Sequence, residues 1–154
     1  MHGARPVPPE VETADASLAA DFREAVAVLP LSPKSSAALS RRCLQHLLRT
    51  KAHTKCRDLA DQIDEVLPSL PPQISANVDA IRQVGNFATH PMKSRSTGEI
   101  VPVEEGEADW LLEVLEELFD HYYVAPARAT ARRTALNDKL ADAGKPQLKG
   151  PVAE

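Results

Sequence analysis

Thiols are almost absent from this chain. Its two cysteines, Cys43 and Cys56, stand in no CxxC pair, which argues against a disulfide framework and against a thiolate zinc site. Glycine is scarce, and no GxGxxG or GxxxxGK[ST] arrangement is there to cradle a phosphate. No GxSxG turn occurs to carry a nucleophile. No apolar run approaches the span of about 20 residues that a bilayer crossing needs, so no membrane partner is expected. The opening MHGARPVPPEVE lacks the apolar segment of a secretory signal, which makes the cytoplasm the expected location. A βαβ rhythm and internal repeats are missing as well.

Charge of one sign is missing by segment. Between Pro33 and Arg57 there is no acid, against seven bases: Lys34, Arg41, Arg42, Arg49, Lys51, Lys55 and Arg57. Between Ser96 and Ala127 there are nine acids and no Lys or Arg. Bases dominate again from Arg128 to Lys149. The net charge of −4 conceals this segregation, and a nucleic-acid domain is usually basic overall. The basic and acidic segments therefore read first as neutralising each other, within a chain or across a dimer. The second reading is a basic face for an anionic partner.

What is there is helical. Apolar residues make up 43% of 154 positions, enough for one domain with a core. Leu18, Phe22, Ala25, Val26 and Leu29 recur at spacings of three and four and predict a helix over 16–29. Ser32 is a suitable N-cap and Pro33 suits the first helical position, so a second helix runs from there to about Thr50. Leu39, Cys43, Leu44, Leu47 and Leu48 form its stripe, with Arg41, Arg42, Gln45 and Arg49 largely off it. A third helix is expected over 56–67, ended by the prolines of LPSLPP. A fourth starts near Gln73 and must stop by His90, because Pro91 pushes its predecessor out of the helical region. A fifth spans about Glu105 to Tyr123, with Tyr122 on its apolar face. Pro126 opens a sixth, thin in apolar residues, which has the look of a helix packed on a partner chain or only partly ordered. The expected fold is all-α, an up-and-down bundle of four to five core helices with a helical tail. Residues 1–14 read as a flexible arm, 15–125 as the domain and 126–154 as a partly flexible tail.

The stretch AIRQVGNFATHP, residues 80–91, carries the densest polar chemistry. On a helix, Arg82, Asn86 and His90 repeat at four and four and drift by only about 40° per step. Arginine suits phosphate oxygens, and histidine works as acid or base near neutral pH. Gly85 leaves room beside Asn86 for a ligand or a neighbouring helix. No acid lies between Asp79 and Glu99, so no metal or other cofactor is expected here. The residues alone favour a structural reading, with Asn86 and His90 satisfying the last helix carbonyls and Arg82 paired to an acid of the fifth helix. Arg41, Arg42 and Arg49, with His46 nearby, add an anion-binding face on the second helix. His53 reads as solvated, Trp110 as a packing anchor and DHYY, 120–123, as helix-end packing.

LSPKSSAALSRRCLQHLL followed by IRQVGNFATHP, and then GEADWLLEVLEELFDHYY, resembles the bacterial DUF4145 domain, a family of unknown function, over about residues 18–125. That family pairs a similar SPK helix start with a later RxxGNxxxHP segment. The resemblance places the chain among HEPN-like helical bundles, which implies a homodimer. Many such proteins are metal-independent RNases of toxin–antitoxin and phage-defence systems, with RNA, a nucleotide or another defence protein as partner. Their signature is an arginine, an adjacent polar residue and a nearby histidine. Asn86 and His90 match it. Gly85 stands where the arginine belongs, and Arg82 lies one turn too early. Two functions follow as expectations. One is a binding or regulatory module with an anion- or nucleic-acid-binding site; the other is an endoribonuclease that uses His90 and Arg82. A purely structural interaction domain is the third reading.

Overall fold

A computed structural model describes residues 4–89 and 105–150, with the side chains of 83–89 and of Glu105 left aside. The described residues form seven α-helices and no strand. These are α1 Pro9–Ala14, α2 Ala16–Val28, α3 Pro33–Lys51, α4 Leu59–Val66, α5 Pro72–Thr89, α6 Glu105–Phe119 and α7 Ala125–Asp142. The molecule is an all-α bundle, as the hydrophobic periodicity predicts.

Helix α3 is the hub and packs against α2, α4, α5 and α6. Its start is set as the sequence implies: the Ser32 hydroxyl accepts from the Ser35 N–H at 3.2 Å, and Pro33 occupies the first turn. The short link 29–32 turns the chain back so that α2 and α3 lie together. Ser36 seals that pair by donating its hydroxyl to the Ala25 carbonyl at 2.7 Å, fully buried. The core draws Leu18, Phe22 and Leu29 from α2, Leu44, Leu47 and Leu48 from α3, Val78 and Ile81 from α5, and Leu111, Leu112 and Leu115 from α6. Phe119 stands edge-on to Phe22 at 5.1 Å and to Tyr123 at 6.3 Å between ring centres.

The structure differs from the periodicity in three places. Within the arm expected to be loose, Pro9–Ala14 is helical and Val11 is fully buried. Arg5 ties the arm to α6 through Asp109 at 2.7 Å and through Glu116, and only 15% of its side chain is exposed. Burial opposes the Arg5 charge, yet its pKa is raised because these carboxylates outweigh desolvation.

The third helix begins at Leu59 and not at Cys56. The Glu65 carboxylate accepts from the backbone N–H groups of Lys55 and Cys56, at 3.1 and 2.7 Å, and holds that segment out of the helix. After Val66 a 3-10 turn, Leu67–Ser69, leads into the prolines.

The fifth and sixth helices are one helical stretch joined by a π turn, Asp120–Val124. Pro126 lacks an N–H and would press on the Tyr122 carbonyl four residues back in a continuing α-helix. The π turn lets Ala125 N–H reach the Asp120 carbonyl instead. The extra residue shifts the inward register by one, so Tyr123, at 4% exposure, is buried while Tyr122 is half-buried. At its far end α7 closes in a Schellman motif, with Lys145 N–H on the Leu140 carbonyl and Gly144 at φ +70°.

Candidate anion-binding site

The joint between α3 and α4 is organised by side chains of α3. Gln45 and Arg49 both donate to the Arg57 carbonyl, at 3.1 and 3.2 Å. This brings the first turn of α4 beside the polar face of α3. A cleft of about 510 Å³ lies between them, lined by Arg41, Arg42, Gln45, Asp58, Leu59 and Ala60 along with Ala38. Asp58 is the N-cap of α4, but its side chain makes no capping hydrogen bond. The N–H groups of the first turn have no partner within the helix, and they carry the positive end of its dipole. Two arginines and a helix start thus line one hollow, together with Asp58. Phosphate oxygens and carboxylates suit such a set.

The residues chosen from sequence separate here. Arg41 and Arg42 line the cleft. Arg49 does not; its head is spent on the Arg57 carbonyl and holds the joint. His46 faces elsewhere on α3, and its Nε2 meets the Asp15 carboxylate at 2.5 Å. His53 is exposed, as read, and adopts a left-handed conformation at φ +55° that lets Thr54 N–H return to the Leu48 carbonyl.

Arg82 sits on α5 facing α4. It donates to Asp64 at 2.9 Å and to Asp79 one turn back on its own helix. The acid partner expected for it is therefore present, on α4 and not on the acidic helix. Both terminal nitrogens are engaged by carboxylates, so a phosphate has to displace them to be held by Arg82. Gly85 and Asn86 lie on the described backbone of α5, but their side-chain surroundings and the whole of His90 fall outside the described residues.

Among the described ion pairs, it is Arg5 that meets the acids of α6. Both cysteines are free thiols. Burial pushes the Cys43 thiol up to about 12, and the Glu65 carboxylate pushes that of Cys56 to about 11. No group of metal-ligating side chains occurs among the described residues, and no helix there is long and apolar enough to cross a membrane.

Asp58, Leu59 and Ala60 fall inside the helix expected from Cys56, and only the later start of α4 brings them to a helix N-terminus at the cleft. The signal was Glu65, placed to cap the turn before it.

Fold and cleft together define an all-α bundle domain with a basic groove. The sequence matches the model of a family described as a domain of unknown function, DUF4145, over residues 23–139. This chain belongs to the DUF4145 family. The match runs from α2 into α7. Comparison with curated proteins and with solved structures gives no match.

Proposed function

We propose that this protein is a binding module that holds a phosphate-bearing ligand, with single-stranded RNA as the best candidate, in the α3–α4 cleft. The observation that carries the reading is the meeting of Arg41 and Arg42 with the uncapped start of α4 around one hollow. Phosphate contacts of this kind supply affinity without sequence preference, and they weaken as salt displaces counterions. Arg57, exposed and next in the chain to Asp58, adds positive charge to the joint.

The endoribonuclease reading needs Arg82 to stabilise a charged transition state near His90. In the described geometry Arg82 is committed to Asp64 and Asp79, which supports a positioning role between α4 and α5. Binding without turnover is the reading favoured here, in keeping with Gly85 at the position where the RNase signature has arginine.

A labelled single-stranded RNA oligomer, titrated at low salt and followed by fluorescence anisotropy, tests this. The expected result is saturable binding that Arg41→Ala with Arg42→Ala weakens by about tenfold or more, each lost phosphate contact lowering the salt slope by about 0.7. Arg82→Ala leaves the affinity within about twofold, as expected for a surface ion pair remote from the ligand. Binding that depends on Arg82 and ignores Arg41 and Arg42 overturns the assignment.

A further inference from the structure

Three segments far apart in the sequence meet beside the π turn. A cleft of about 640 Å³ opens there between α1, the last residue of α3 and the root of α7. Short side chains line much of it, Thr13 and Ala14 from α1 and Ala127, Thr130 and Ala131 from α7. Tyr122 and Tyr123 of the π turn add two aromatic rings. Lys51 is the one base of the lining and Glu10 the one acid. A volume of this size is that of a small-molecule site, and such sites combine an apolar lining with a few convergent polar groups.

Two polar groups converge at Tyr123. Its hydroxyl is buried and makes no hydrogen bond among the described residues. A hydroxyl closed off from water without a partner destabilises the fold that holds it. Burial, with Asp15 nearby, pushes its pKa up to about 12, so it keeps its proton and stands ready to donate. The second group is the Lys51 ammonium, which lies over the Tyr123 ring at 4.5 Å from its centre. No carboxylate of the described residues pairs with it. A ring face holds an ammonium weakly where water has access, and Lys51 is only half-buried. Its head is therefore available to an anion.

We propose that this cleft binds a small aromatic carboxylate. The flat ring of the ligand enters between the short side chains of α1 and α7 and packs on the tyrosines. Its carboxylate replaces the ring face as the partner of Lys51. As the ammonium moves off Tyr123 it uncovers the hydroxyl, which donates to the second carboxylate oxygen. Both groups that converge at the tyrosine are donors, so the site selects an anion over an amine. It is distinct from the α3–α4 cleft and independent of RNA binding there.

Nuclear magnetic resonance titration of the isotope-labelled full chain with cinnamate tests it, beside the near-isosteric but neutral cinnamamide. The expected result is saturable shifts at the π turn and the root of α7, with a millimolar Kd or tighter for so small a ligand. Cinnamamide binds more weakly by about tenfold, and Lys51→Met, which keeps the apolar stem, weakens cinnamate by about the same factor. Ala131→Leu fills the cleft from an exposed position on α7 and abolishes binding while the helix stays intact. Tyr123→Phe weakens binding severalfold yet leaves thermal stability equal or higher, as removal of an unpartnered hydroxyl does. Arg41→Ala with Arg42→Ala leaves cinnamate binding unchanged. Failure of cinnamate to saturate overturns the proposal. So does equal binding of cinnamamide, binding indifferent to Lys51→Met and Ala131→Leu, or binding lost with Arg41 and Arg42. Destabilisation by Tyr123→Phe would likewise overturn it, because the hydroxyl would then have a partner within the fold.

Discussion

Phe119→Ala lowers the unfolding free energy by about 3–5 kcal/mol, a large part of the roughly 5–15 kcal/mol a domain of this kind possesses. The side chain is fully buried where α2, α6 and the π turn converge, and it stands edge-on to Phe22 and Tyr123. Its removal opens a cavity and deletes two aromatic contacts at once. The ring also holds the inward register across the π turn, so its loss loosens the root of α7. Urea unfolding of the native and variant proteins measures the effect, and Phe119→Leu, which keeps most of the volume, costs about 1–2 kcal/mol. A change below 1 kcal/mol for the alanine variant would place the core elsewhere.

Asp15→Ala costs about 1–2 kcal/mol, the range for loss of a helix N-cap. The Asp15 carboxylate accepts from Leu18 N–H at 3.0 Å and so caps α2, and its other oxygen meets His46 on α3. One side chain thus fixes the start of α2 and its position on the hub helix. Burial alone would raise the Asp15 pKa, but the Leu18 hydrogen bond and His46 outweigh it and the carboxyl lies below its usual range. A carboxyl depressed in the folded state stabilises fully above its unfolded value near about 3.9. That contribution fades as pH falls through the lower folded value. Chemical unfolding of native protein and Asp15→Asn at neutral and acid pH reads this directly: Asn keeps a cap, and the gap between the two narrows toward acid. A gap independent of pH would remove the charge from the account and leave only the cap.

The local elements were legible in the sequence where local chemistry decides them. Ser32 with Pro33 announced α3, and the stripes of Leu18, Phe22 and Ala25 or Leu44, Leu47 and Leu48 named the faces that are buried. The contacts between distant residues were not legible. Nothing near Arg5 shows that it meets Asp109 and Glu116, more than a hundred positions away. Glu65 was the one signal for the delayed start of α4, but an acid inside a helical pattern reads equally well as a solvated residue. The π turn hides in an ordinary helical pattern because Pro126 reads equally well as a new start. In the site, Arg41 and Arg42 were legible as polar residues off an apolar stripe. The division of labour was not: Arg49 faces the same way along α3 but bonds the backbone, and Arg82 shares a helical face with Asn86 yet is held by Asp64 of another helix. Spacing along one helix says which side chains share a face and is silent on what stands opposite.

The central claim is that this bundle binds a phosphate-bearing chain without cutting it. Incubation of labelled RNA with excess protein in the presence of a chelator, beside His90→Ala, tests it most directly. The account predicts RNA that is bound, recovered intact and held equally well by both proteins. Chelator-resistant cleavage that leaves cyclic phosphate ends and vanishes in His90→Ala would contradict it.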